Sequence, residues 1–179
     1  MKFNTVIKFW FEELAPEQHW IKDNSVDDLI RQRFLNTYLA AIQGELFSWR
    51  SEAAGRLAEI IVLDQFSRNI FRNKPEAFAG DGIALTLAQE IVYNNQIFSL
   101  PKSQRSFAIM PFMHSESVVV HDEALKLFAN PEFGCSLDFE KKHRDIILRF
   151  GRYPHRNHIL GRSSTAEEIE FLKMPGSSF

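Results

Sequence analysis

The stretch LAEIIVLDQFSRNIFR, residues 57–72, most narrows what this chain can become. Apolar side chains occupy nearly every side of its first seven positions, so a helix here has to be wrapped by other elements. Asp64, Arg68 and Arg72 then recur every four residues and form one stripe, with Gln65 and Asn69 on the adjacent one. A helix that is central and also polar must find partners for that stripe. One reading is an i,i+4 salt bridge from Asp64 to Arg68, with Arg72 tying down the helix end. The other is a recessed stripe that presents an arginine pair to a ligand anion, Asp64 fixing the arginine's orientation.

The remaining pattern is helical throughout. Val6, Phe9, Trp10 and Leu14 share one face of a first helix that Pro16 ends. A second begins at Ser25, keeps Val26, Ile30, Phe34, Tyr38 and Ala41 on one side, and runs to about Phe47. Ser51 and Glu52 open the central third helix. Pro75 suits the first position of a fourth, which continues to Asn94. Pro101 and Pro111 bracket a short fifth segment around residues 107–110, and a sixth follows with Val120, Ala124, Leu127 and Phe128. Ser136 caps a seventh that Gly151 stops, and Thr165 with Glu168 forms a capping box for the last. No alternating strand is visible. The expected fold is all-α, an antiparallel array of about seven to eight helices in a single domain over residues 1–174, with 175–179 a frayed tail.

A second polar stretch, RFGRYPHRNHILGR at residues 149–162, holds four arginines and two histidines without one acidic side chain. Gly151 and Pro154 place it on a bend rather than on the outer face of a helix. Arg149 can pair with Asp145 one turn back. Arg152, His155, Arg156 and Asn157 have no local acid; they need distant partners, for which Asp64, Asp81 and Glu116 are candidates, or a bound anion. The expectation is that this bend meets residues 63–72 in the folded molecule.

Between them, MPFMHSES puts His114 and Glu116 where the sixth helix is expected to start. The field of a helix N-terminus would there favour Glu116 as carboxylate and His114 as neutral imidazole, able to act as a base. The plainer alternative is that His114 or Ser115 caps the helix and Glu116 is a first-turn acid. His143 falls on the apolar face of its helix, three residues after Glu140. One such Glu-x-x-His pair is too little for a carboxylate-bridged metal site, so neither metal nor cofactor is expected.

Composition limits the partners. A formal net charge of -2 and a pI near 6.3 give no reason to expect nucleic acid or an anionic membrane surface. No apolar run approaches a membrane span, and FWF near the start is followed at once by Glu12 and Glu13, too short and too acidic for a signal-peptide core. A single cysteine, Cys135, fits a reducing compartment, and the expectation is a cytoplasmic protein.

Taken in order, FWFEEL, LDQFSRNIFR with PEAFAGDGIAL, MPFMHSES, and HRDIILRFGRYPHRNHILGRSSTAEEIEFL resemble the bacterial family catalogued as domain of unknown function 924, over almost the whole chain. The resemblance implies an all-helical, tetratricopeptide-like superhelix and no activity. The family's motif positions fall here on Asp64, Gln65, Arg68, Asn69, Arg72, Asp81, His114, Glu116 and His143, then Arg149, Gly151, Arg152, Pro154, His155, Arg156 and Asn157. Tyr153, usually Phe in the family, and Ser67, often Pro, are mild departures.

Three functions fit these residues. In the first, Arg68, Arg72, Arg149, Arg152 and Arg156 bind a small phosphate- or carboxylate-bearing ligand or an acidic peptide end, oriented by Gln65, Asn69 and Asn157. In the second, a hydrolase or isomerase of an anionic metabolite uses His114 or His155 as general acid or base, oriented by Asp64 or Glu116. In the third, the cluster is an internal salt-bridge network that staples the C-terminal segment to the bundle, and function lies in a protein interaction elsewhere.

Overall fold

A computed structural model describes residues 1–178, and among these every regular element is helical. α1 (Phe3–Lys8) runs into a π-helical turn at Phe9–Glu13, and α2 spans Asn24–Ile42. α3 (Ala53–Ile61) passes through a second π-helical turn, Val62–Phe66, into α4 (Ser67–Ile70). α5 (Asp81–Tyr93), α6 (Lys102–Met113), α7 (Val118–Phe128), α8 (Leu137–Phe150) and α9 (Ala166–Phe171) complete the array.

The α3–α4 rod is central, as its all-round apolarity requires. Leu57, Ile60, Ile61, Val62, Leu63, Phe66 and Ile70 are fully buried. α3 packs on α1, α5 and α6, and α4 packs on α2. Phe66 closes an aromatic cluster with Phe9, Phe34 and Trp10, its ring centroid 5.8, 4.7 and 5.5 Å from theirs. From α5 onward each helix lies against the next, α5 on α6, α6 on α7 and α7 on α8. Glycine makes a more local approach possible: at Gly55 in α3 a Cβ would sit 2.1 Å from the carbonyl oxygen of Trp49, in the 3₁₀ turn Phe47–Ser51 just before the helix.

Several boundaries differ from the sequence expectation. α2 stops at Ile42, where Gly44 turns the chain with φ +73°. Pro75 opens a separate 3₁₀ turn, Pro75–Ala77, rather than α5. The fifth segment is a full helix, because Pro111 lies inside α6 instead of ending it. Loss of one backbone N–H near the helix end is outweighed by burial of Phe107, Ala108, Ile109, Met110 and Phe112. His114 is therefore the C-cap of α6, and Ser117 is the N-cap of α7. The helix N-terminal field expected around His114 is absent. Gly151 does end α8, in the left-handed region at φ +69°, and the Thr165–Glu168 capping box opens α9. In the tail expected to fray, Ser177 is buried and donates a hydrogen bond to the Leu172 carbonyl at 3.1 Å; Phe179 lies outside the described residues.

A paired substitution tests the close approach at Gly55. Gly55→Ala should cost about 2 kcal/mol of stability, since backbone must move to admit the methyl group. Gly82→Ala, with nothing within 4 Å of the added Cβ, should stabilise by about 0.5 kcal/mol. Chemical denaturation of both variants measures the contrast.

Candidate functional site

The two polar stretches meet at a pair of carboxylates. Asp64, fully buried in the π-helical turn, holds the His114 Nδ1 at 2.7 Å and accepts from Gln65 Nε2 at 2.5 Å. Arg68 reaches back to Asp64 at 3.3 Å and forward to Asp81, at the first position of α5, at 3.0 Å. Arg156, from the 3₁₀ turn Pro154–Arg156, joins Asp81 at 3.3 Å and donates to the His114 carbonyl at 3.0 Å. One carboxylate thus receives a guanidinium from each stretch. Both guanidinium groups also lie over the Phe78 ring, Arg68 at 5.6 Å and Arg156 at 4.7 Å, an arrangement that suits the planar Arg group.

Burial alone would raise the Asp64 carboxyl, but the Arg68 and His114 charges and the hydrogen bonds from His114 and Gln65 hold it well below the carboxylate range. Arg156 is displaced downward by burial and by the neighbouring Arg68 charge. His155 falls to about 4 and His143 to about 3, both mainly through burial. These two imidazoles are neutral at pH 7.

Arg68, Arg156, His114, His143 and His155 line a cleft of about 470 Å³, together with Arg72, Gln65 and Asn69. Its rim includes Trp20 and Lys22 from the loop before α2. Among the described residues the cleft lining contains no Asp or Glu. Behind Phe78, His114 and Arg156 lies a second cavity of about 360 Å³, whose lining does carry Asp81 and Glu116.

Residues 6–176 match the family described as bacterial proteins of unknown function (DUF924). The chain belongs to this family. It is also similar to the solved structure of a protein of unknown function from Agrobacterium tumefaciens, at 32% identity and a TM-score of 0.86, with 96% of each chain covered. No curated protein matches. Every motif quoted above lies within or overlaps the matched span.

In this DUF924 protein the remaining motif positions lie apart from the cleft. Arg149 pairs with Glu167 at 2.8 Å rather than with Asp145, and Arg152 takes Glu168 at 2.7 and 2.8 Å. Asn157 is buried among local polar groups, donating to Ser164 Oγ at 3.1 Å and accepting from Arg162 at 3.0 Å. Glu116 orients no imidazole. It accepts two bonds from Arg162, at 2.7 and 2.9 Å, and one from the Tyr153 backbone N–H at 2.8 Å. Glu140 binds His121 at 2.6 Å, while His143 Nδ1 lies 2.8 Å from the Phe139 carbonyl oxygen, so the Glu-x-x-His spacing makes no joint site. All four arginines of residues 149–162 therefore have carboxylate partners, and of the four only Arg156 lines the cleft.

Asp27, in the first turn of α2, is a partner outside both polar stretches. It receives Arg72 at 2.5 and 2.6 Å and Asn69 at 2.8 Å. Its signal was its phase: with Ile30 and Phe34 at i+3 and i+7, Asp27 stands on the buried face of α2. Trp20 and Lys22 have no such signal, because they lie in the loop before α2, outside any periodic element.

The depressed histidines and Glu168 make the fold acid-sensitive. His143 and His155 bind protons in the unfolded chain from pH 6.5 downward but in the folded one only near pH 3 and 4, so stability falls as pH drops through that window. Near pH 5 the two together should contribute a slope on the order of 2 kcal/mol per pH unit. Glu168, lowered from 4.5 to about 2 chiefly by the Arg152 hydrogen bond, adds its own loss between those values. Denaturant titrations from pH 7.5 to 4.5 should show the decline, and His155→Gln should flatten it.

Proposed function

We propose that the cleft binds a small anionic ligand bearing a phosphate or carboxylate group. The observation that supports this reading is the composition of the lining: Arg68, Arg72, Arg156, Lys22 and four imidazoles, with no Asp or Glu among the described residues. Asp27, Asp64 and Asp81 fix the guanidinium groups without lining the cleft themselves. Held forks of this kind favour planar or tetrahedral anions over a diffuse charge. The acidic end of a peptide would meet the same donors. Gln65 has another role than contact with the anion, since its amide N–H groups go to Asp64 and to Met110 Sδ at 3.3 Å.

A second reading is favoured by the Asp64–His114 pair. With Nδ1 committed to a buried carboxylate, His114 has its Nε2 as the free proton-transfer atom beside Arg68 and Arg156. This is the arrangement a general acid or base on an anionic substrate requires, and it favours His114 over His155 in that role.

Two finer assignments belong here. The successive packing of α5, α6, α7 and α8 supports a tetratricopeptide-like superhelix. The cytoplasm suits a chain whose one thiol, Cys135, is pushed up to about 12 by burial and is unsuited to oxidation. No helix among the described residues is long and apolar enough to cross a membrane.

Isothermal titration with inorganic phosphate and with citrate tests the anion site. Millimolar or tighter affinity is expected, weakened about tenfold by Arg156→Lys, which keeps the charge but loses the fork. Absence of binding by both anions would refute the site. His114→Gln separates the second reading: with a phosphomonoester or carboxyl ester as substrate, turnover should vanish while binding of the anion persists, and turnover unchanged in this variant would remove His114 from the chemistry.

A further inference from the structure

The cleft is not uniformly polar. Trp20, Ile21 and Phe139 line it although they are 65%, 52% and 55% exposed, and Met110, Met113 and Ile159 continue the apolar part of the lining. Large apolar side chains left open beside a polar cleft point to a bound group that covers them. Their placement is fixed, too. The His19 ring stacks on Trp10 at 4.3 Å and its Nε2 lies 2.8 Å from the Trp10 carbonyl oxygen, which anchors the 3₁₀ turn leading into Trp20. The Trp20 ring in turn stacks on Phe107, centroids 5.7 Å apart and planes within 14°. One face of the indole is thereby supported, and Trp20 keeps 65% of its surface exposed. Lys22, two residues on, lines the cleft beside it.

We infer that the ligand is an aryl anion, in which a phosphate or carboxylate meets Arg68 and Arg156 while a flat apolar group covers Trp20 and Phe139. This rests on the anion-site reading and adds the nature of the group the anion is attached to. Bare phosphate would leave the apolar lining wet. An aromatic ring removes it from water and gains stacking on a supported indole face. The volume of about 470 Å³ exceeds what a lone oxyanion fills and lies within the span usual for small organic ligands, roughly 300–1,000 Å³. An aryl group is preferred over an alkyl chain because Trp20 offers a plane.

Isothermal titration of the full chain with inorganic phosphate, 1-naphthyl phosphate, 1-naphthoate, n-octyl phosphate and neutral 1-naphthol decides the matter. The expected result is at least about tenfold tighter binding of 1-naphthyl phosphate or 1-naphthoate than of inorganic phosphate and of n-octyl phosphate. In Trp20→Ala that advantage should shrink toward unity; the substitution is at an exposed loop position, and a melting curve checks that the variant is folded. Equal affinity for inorganic and naphthyl phosphate overturns the aryl inference alone, leaving the anion site. Equal affinity for octyl and naphthyl phosphate, or an advantage unchanged in both Trp20→Ala and Phe139→Ala, also overturns it. Tight binding of 1-naphthol with no gain from the charged group, or no binding by any anion, removes the anion-site reading as well.

Discussion

Asp81 is the point on which the site's architecture depends. A guanidinium from the central rod and another from the C-terminal bend reach one carboxylate at the start of α5. Two like charges held this close repel, and the cost is offset only while acids accompany them; Asp81 and Asp64 supply that compensation. Ion pairing between residues far apart in sequence therefore does what apolar packing does elsewhere in the chain: it specifies which surfaces meet. The C-terminal segment is fastened by the same means along its length, Arg152 to Glu168 and Arg162 to Glu116.

This division explains how one cluster can be both structural and available to a ligand. Arg152 and Arg162 are each held by bidentate bonds to one carboxylate and act as staples. Arg68 and Arg156 differ because their acids stand outside the cleft lining while they themselves are part of it. The π-helical turn at Val62–Phe66 contributes here. A widened turn, often found at functional positions, sets the consecutive residues Asp64 and Gln65 against each other while His114 and Arg68 approach the same carboxylate.

Much of the helical scheme was legible in the residues. The capping box at Thr165, the stop at Gly151 and the central position of residues 57–70 each follow from local chemistry or from all-round apolarity, and each is present. Pro111 misled because proline's local cost was weighed without the burial of its neighbours, and the same slip moved His114 from the start of one helix to the end of another. At the site, the polar stripe and the bend could be chosen from charge without nearby compensation. Which arginine turned inward could not, since Arg152 and Arg156 are equivalent in sequence terms until Glu168 claims the first.

By itself, then, the sequence determined an all-helical chain, a wrapped central helix with a polar stripe, and a basic bend obliged to find distant acids. Periodicity, caps and uncompensated charge are local quantities, and a chain displays them without folding. Tertiary structure alone decided that Asp64 holds His114, that Asp27 takes Arg72 and that Trp20 borders the cleft. Each is a contact between residues separated by tens of positions or a placement set by a turn. Its energy depends on the burial of both partners together, and neither partner's neighbours record that.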